Sequence, residues 1–130
     1  MITSIALLFH LTMLNDHPLQ IEITNISSVQ GTIRICICIE EEEFLRSCFD
    51  SKVVKVSDKN MIITLNRPEY PFSVSLFHDE NDNGKLDSGL FRIPKEPYGF
   101  SNNPSSIFGP PSFENCLVKD PVQNIQIRLK

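Results

Sequence analysis

Strict two-residue alternation, repeated along the chain, narrows the fold more than any other feature. Leu19, Ile21 and Ile23 alternate with Gln20, Glu22 and Thr24; Ile33, Ile35, Ile37 and Ile39 alternate with Arg34, Cys36, Cys38 and Glu40. Val54 with Val56, and Ile63 with Leu65, begin two further runs, and Phe72, Val74 and Leu76 alternate with Ser73 and Ser75. Phe113 to Val118 is a later apolar piece, and Ile125, Ile127 and Leu129 alternate with Gln126, Arg128 and Lys130 at the end. Successive side chains of a strand point to opposite faces, so such runs bury one face and wet the other, as antiparallel sheets do. About seven short strands separated by turns predict an all-β chain folded as an antiparallel β-sandwich. No apolar stripe of helical period has useful length. The best helical candidate is Glu40 to Phe49, with Phe44, Leu45 and Cys48 on one side, and it allows one or two turns. The acidic run Glu40 to Glu43 reads as a solvated bend that discourages edge pairing.

The chain has 130 residues, enough for one domain with a real core, here assigned to residues 19–130. Its net charge of -4 argues against general electrostatic attraction to nucleic acid or to an anionic membrane. Residues 1–14 hold ten apolar side chains and no Lys or Arg, too short a stretch to span a bilayer. The segment 1–18 reads either as a degraded or truncated export signal or as an N-terminal extension of the domain.

Five of the nine prolines lie between residues 94 and 111, and four of the five glycines between 84 and 109. They mark a loop of more than thirty residues between Phe77-His78 and Phe113 in which little alternates. Loops longer than about 15 residues are uncommon in compact domains unless functional or disordered. Phe91, Ile93, Tyr98, Phe100, Ile107 and Phe108 argue for order. Its first residues explain how it is held. Asp79, Asn81 and Asn83 stand at positions 1, 3 and 5 of a calcium loop, Gly84 at the sharp turn of position 6, Lys85 at the carbonyl position 7, Leu86 at the apolar position 8 and Asp87 at position 9. A tight loop turns alternate oxygens onto one hard cation, and calcium takes six to eight of them. Position 12 departs: Leu90 replaces the bidentate glutamate, and no helical period precedes Asp79, so this is no helix-loop-helix. Affinity is expected to be modest, with Glu80, Glu96 or a loop carbonyl as candidates to complete the shell. A metal-free hairpin around Asn83-Gly84 is the competing reading.

The blocks FHDENDNGKLD, IPKEPYGFSNN and GPPSFENC, in that order over residues 77–116, resemble the DUF2141 family of small exported bacterial proteins. The resemblance implies an immunoglobulin-like or transthyretin-like β-sandwich and an extracytoplasmic location, periplasmic or secreted; it implies no activity. Arg92 stands before Ile93-Pro94 where glycine is expected, a departure that bears on the turn there.

His78 is in phase with the buried residues of its strand and reads first as a structural histidine, second as a ligand contact. Glu96, Tyr98, Phe100, Asn102 and Asn103 form a candidate surface for a protein or glycan, or else pin the loop and cap its turns. Cys36 and Cys38 share a face and would bridge only under strain. With Cys48 and Cys116, free small hydrophobes are the first expectation, with one disulfide as the exported alternative and a zinc site weaker still. The chain is therefore expected to be a non-enzymatic extracytoplasmic module with a calcium-ordered loop. The alternative, a metal-dependent enzyme using His78, Asp79 and Glu80, requires those three side chains to converge in an open pocket.

Overall fold

The computed structural model describes residues 18–68, 71–89, 93–106, 108–119 and 124–130. Residues 1–17 of the expected signal segment, Leu90 at loop position 12, Phe91, Arg92 and Ile107 lie outside them. The strands are β1 (Leu19–Thr24), β2 (Thr32–Cys38), β3 (Asp50–Lys55), β4 (Met61–Leu65), β5 (Phe72–Asp79), β6 (Tyr98–Phe100), β7 (Leu117–Val118) and β8 (Asn124–Arg128). They form two sheets. One has the order β4-β1-β8; the other has the order β3-β2-β5-β6, with β7 also paired to β5. The alternating apolar residues face each other between the sheets. Leu19, Ile21, Ile23, Ile33, Ile35, Ile37, Phe72, Val74, Leu76, Ile127 and Leu129 are all buried, as the period-two pattern requires. The all-β sandwich is thus present.

Four features differ from the sequence expectation. First, β1 and β8 pair parallel, with Ile21 opposite Ile125 and Ile23 opposite Ile127, while every other pair is antiparallel. Alternation marks the buried face of a strand but carries no sign of its neighbour's direction.

Second, the helical candidate over Glu40 to Phe49 shrinks to one 3-10 turn, Glu41–Glu43. Leu45 adopts a φ of 62°, a left-handed conformation that stops a helix. The chain then returns into β3.

Third, the return brings Cys48 to Cys36, and the two form a disulfide with Cα atoms 5.3 Å apart. The expectation of four free cysteines is corrected to two: Cys38 and Cys116 are free and buried. The register explains the pairing, because Cys36 lies opposite Ser51 and the turn before β3 ends beside it.

Fourth, the piece Phe113 to Val118 is not one strand. It is a single helical turn, α1 (Phe113–Cys116), capped where Ser112 Oγ accepts from the Asn115 amide, followed by β7.

The long loop contains a strand of its own. β6 joins the sheet edge beside β5, with Phe77 opposite Tyr98 and Ser75 opposite Phe100. It also ties the two sheets together, because Tyr98 and Lys130 exchange backbone hydrogen bonds of 3.3 and 2.9 Å. Gly99 makes the crossing possible. A Cβ there would sit 2.5 Å from Ile127 Cγ2, and no other residue leaves that space.

Candidate functional site

The site begins where β5 ends. His78 and Asp79 are adjacent on a strand, so their side chains leave on opposite faces. Both are fully buried, but in different surroundings. His78 shares the inner face with Phe72, Val74 and Leu76, and its Nε2 lies 2.7 Å from the Gln30 carbonyl, a bond that makes this nitrogen the donor. Asp79 turns outward, under the loop. Glu80 points away from both: its Oε2 accepts from Ser28 Oγ at 3.2 Å. The three side chains of the enzyme alternative therefore diverge. His78 lies in the core and Asp79 is closed over by backbone, so there is no open pocket in which they meet.

The Asp79 carboxylate organises the loop. Its Oδ1 accepts from the Asn83 amide at 3.1 Å, and its Oδ2 accepts from the Gly84 amide at 2.8 Å and from Arg34 Nε at 2.8 Å. Burial alone would raise its pKa. The Arg34 hydrogen bond and charge, with the two amides, outweigh burial and hold the pKa below the usual carboxylate value. Asp82 and Gly84 take φ of 54° and 81°, the left-handed conformations that Asp tolerates and Gly adopts freely; the tight turn depends on them.

Asp87 closes the far side. Its Oδ1 accepts from Asn83 Nδ2 at 2.8 Å and its Oδ2 from Asn81 Nδ2 at 2.7 Å. Those bonds, Asn83 first and Asn81 second, hold its pKa below the ordinary value. The Oδ1 atoms of Asn81 and Asn83 accept from the amides of Asn83 and Lys85 at 3.3 and 2.9 Å. An sp² oxygen has two lone pairs, so an oxygen that accepts one such bond retains capacity for a cation. The structure thus brings Asn81, Asn83 and Asp87 into mutual contact, with Asp79 bonded to the backbone of Asn83 beneath them. Among the described residues, no three His, Cys, Asp and Glu side chains form a metal-holding group. A donor set here would be the mixed one of two carboxylates, two amide carbonyls and a backbone carbonyl.

Two residues matter more than the sequence suggested. Glu96, a candidate ligand, instead accepts from the Glu80 amide at 2.7 Å and from the Asp87 amide at 2.9 Å, one per oxygen, and so clips the two ends of the loop together. Arg34 was not a candidate at all. Its one sequence signal is its outward phase on β2, which places it across from Phe77, two residues before Asp79.

The candidate partner surface is largely used internally. Asn102 Nδ2 donates to the carbonyls of Asn115 and Leu117. Asn103 grips the β8 edge by donating to the Gln126 carbonyl and accepting from the Arg128 amide. Asn103 thereby imitates a neighbouring strand. Tyr98 and Phe100 are half-buried, with ring centroids 6.0 Å apart, and Phe100 also lies 6.2 Å from Phe44. The rings pin the loop to the sheet. The cavity beside them, lined by Tyr98, Phe100, Pro104, Arg128 and Lys130 among others, has about 20 Å³, room for a water and not for a sugar ring. No helix among the described residues is long and apolar enough to cross a membrane.

The model of the DUF2141 family, described as an uncharacterized protein conserved in bacteria, matches residues 21–127. No curated protein and no solved structure matches the chain.

Proposed function

The chain belongs to the DUF2141 family, and from that premise we propose a non-enzymatic extracytoplasmic binding or structural module whose loop 79–87 is ordered by calcium. The observation that carries this reading is the convergence of Asn81 and Asn83 on Asp87 at 2.7 and 2.8 Å. Three candidate ligand side chains already lie together, but the two asparagines meet Asp87 through Nδ2, a donor that cannot ligate, so an ion would replace both bonds with contacts to Oδ1. Asp79, Asn81, Asn83 and Asp87 would hold the ion with side-chain oxygens and Lys85 with its carbonyl, and water would complete the six to eight ligands calcium takes. Magnesium fits less well, since it demands near-octahedral geometry and shorter bonds. The Cys36–Cys48 disulfide supports an oxidising compartment. The cation would fix the segment after Asp87. There, Lys95 N donates to the Asp87 carbonyl and Gly89 N to the Ile93 carbonyl, leaving Ile93 63% exposed toward a protein or glycan partner.

With two carboxylates the site belongs in the range of extracellular modules, with Kd of about 10⁻⁴–10⁻³ M. A tenfold excess of calcium over Kd then stabilises the fold by about 1.4 kcal/mol. Calorimetric titration should give a calcium-dependent heat, and melting in calcium should exceed melting in chelator by about 5 °C. Asp87→Asn should abolish most of both effects. A titration without heat, together with identical melting in calcium and chelator, refutes the calcium reading.

A further inference from the structure

Asp79 is a buried anion at the base of the loop, and a charge so placed needs a partner. The partner comes from another strand. Arg34 reaches from the outer face of β2, 45 residues away, and its Nε donates to Asp79 Oδ2 at 2.8 Å. Its Nη2 also lies 3.7 Å from Asp82 Oδ1, which accepts from Thr32 Oγ1 at 3.0 Å. The turn rests on the same guanidinium: a Cβ on Gly84 would stand 3.6 Å from Nη2 and 3.8 Å from Cζ. One side chain thus contacts positions 1 and 4 of the loop and lies beside the turn at position 6.

We propose that Arg34 is a built-in counter-ion of the loop, a positioning residue that keeps the ligands gathered without metal and competes with calcium for the Asp79 carboxylate. The competition rests on the calcium reading above; the counter-ion role does not. Two consequences oppose each other. Pre-ordering the loop favours calcium, while a positive charge on the shared carboxylate disfavours it. The second prevails, because order does not hang on Arg34 alone. The Asn83 and Gly84 amides hold Asp79, and Glu96 clips both loop ends. Without Arg34 those bonds open more often but still form, and the repulsion is gone. Arg34 therefore keeps affinity low and makes the loop a site that fills and empties without unfolding.

The test uses the full chain with Arg34→Met, which keeps an apolar stem, and Arg34→Lys, which keeps the charge but not the planar fork. In chelator, amide exchange at Asn83 and Gly84 should accelerate at least tenfold in Arg34→Met and less in Arg34→Lys. Unchanged exchange in Arg34→Met overturns the counter-ion role. In a calcium titration, Arg34→Met should bind at least about tenfold more tightly than the parent. Heat in both proteins with equal or weaker affinity in the variant overturns the competition. Absence of heat in both overturns the calcium reading and the competition with it, and the exchange result then decides the counter-ion role. Should Arg34→Met fail to fold, adding Asp79→Asn removes the orphaned charge and should restore folding; failure of that rescue also counts against the counter-ion role.

Discussion

Glu96→Gln isolates the clip at the base of the loop. The glutamine has nearly the same shape but offers one acceptor oxygen where the carboxylate offers two. The two backbone donors are the amides of Glu80 at 2.7 Å and Asp87 at 2.9 Å. Whichever bond the amide oxygen keeps becomes a neutral one, and the other N–H then faces an NH₂ group. Losing one charge-assisted bond and weakening a second costs about 2–4 kcal/mol. A chain of 130 residues loses about 4 °C of Tm per kcal/mol, so melting should fall by about 8–16 °C if the loop unfolds with the domain. If the loop opens first, the fall is smaller and the cost appears locally. Amide exchange at Glu80 and Asp87 then quickens by about 30- to 700-fold. Melting in chelator and residue-resolved exchange together capture both cases. A variant that melts with the parent and protects both amides equally well would refute the clip.

Three further outcomes follow from the same contacts. The pKa of Asp79 is lowered in the folded state, so its pairing contributes fully above the ordinary carboxylate value and is lost as pH falls through the lowered folded value; chelated protein should lose stability in that acid window, and Arg34→Met should flatten the loss. Alkylation should label no thiol in the native protein, two after unfolding and four after reduction, because Cys38 and Cys116 are buried, with Cys116 pushed up to about 11 by burial, while Cys36 and Cys48 are bonded. Gly99→Ala forces a Cβ to within 2.5 Å of the buried Ile127 Cγ2 and should cost about 1–3 kcal/mol in denaturant unfolding, where an unchanged midpoint would show that β6 can shift away from β8.

The loop illustrates why some chemistry is legible in sequence and some is not. Asp79, Asn81, Asn83, Gly84 and Asp87 lie within nine residues, and a tight turn of that spacing can hardly avoid gathering them. Their contacts in the structure are the local ones such a spacing implies. Glu96 was visible as an acid near the loop, yet its task was not, since a carboxylate that ligates metal and one that accepts backbone amides are the same residue type. Asn102 and Asn103 were weighed as partner contacts or turn caps, and their bonds to Leu117 and Gln126 are neither: they tie the loop to strands far along the chain. His78 was legible through its phase: alternation with Phe72, Val74 and Leu76 assigned it to the core, where it is buried.

Period-two alternation specified most strands, their buried faces and hence the sandwich, because side-chain direction along a strand is a local property of the backbone; it missed β6, and the exposed β3 ends at Lys55 where a run from Val54 was expected to begin. Which strands become neighbours is not local. The parallel pairing of β1 with β8, the return that closes Cys36 on Cys48, and the reach of Arg34 to Asp79 each join residues far apart in the chain or set a direction that alternation does not encode. Such contacts depend on the stacking of the two sheets and the register between strands, so the counter-ion at the centre of the candidate site emerged from tertiary structure alone.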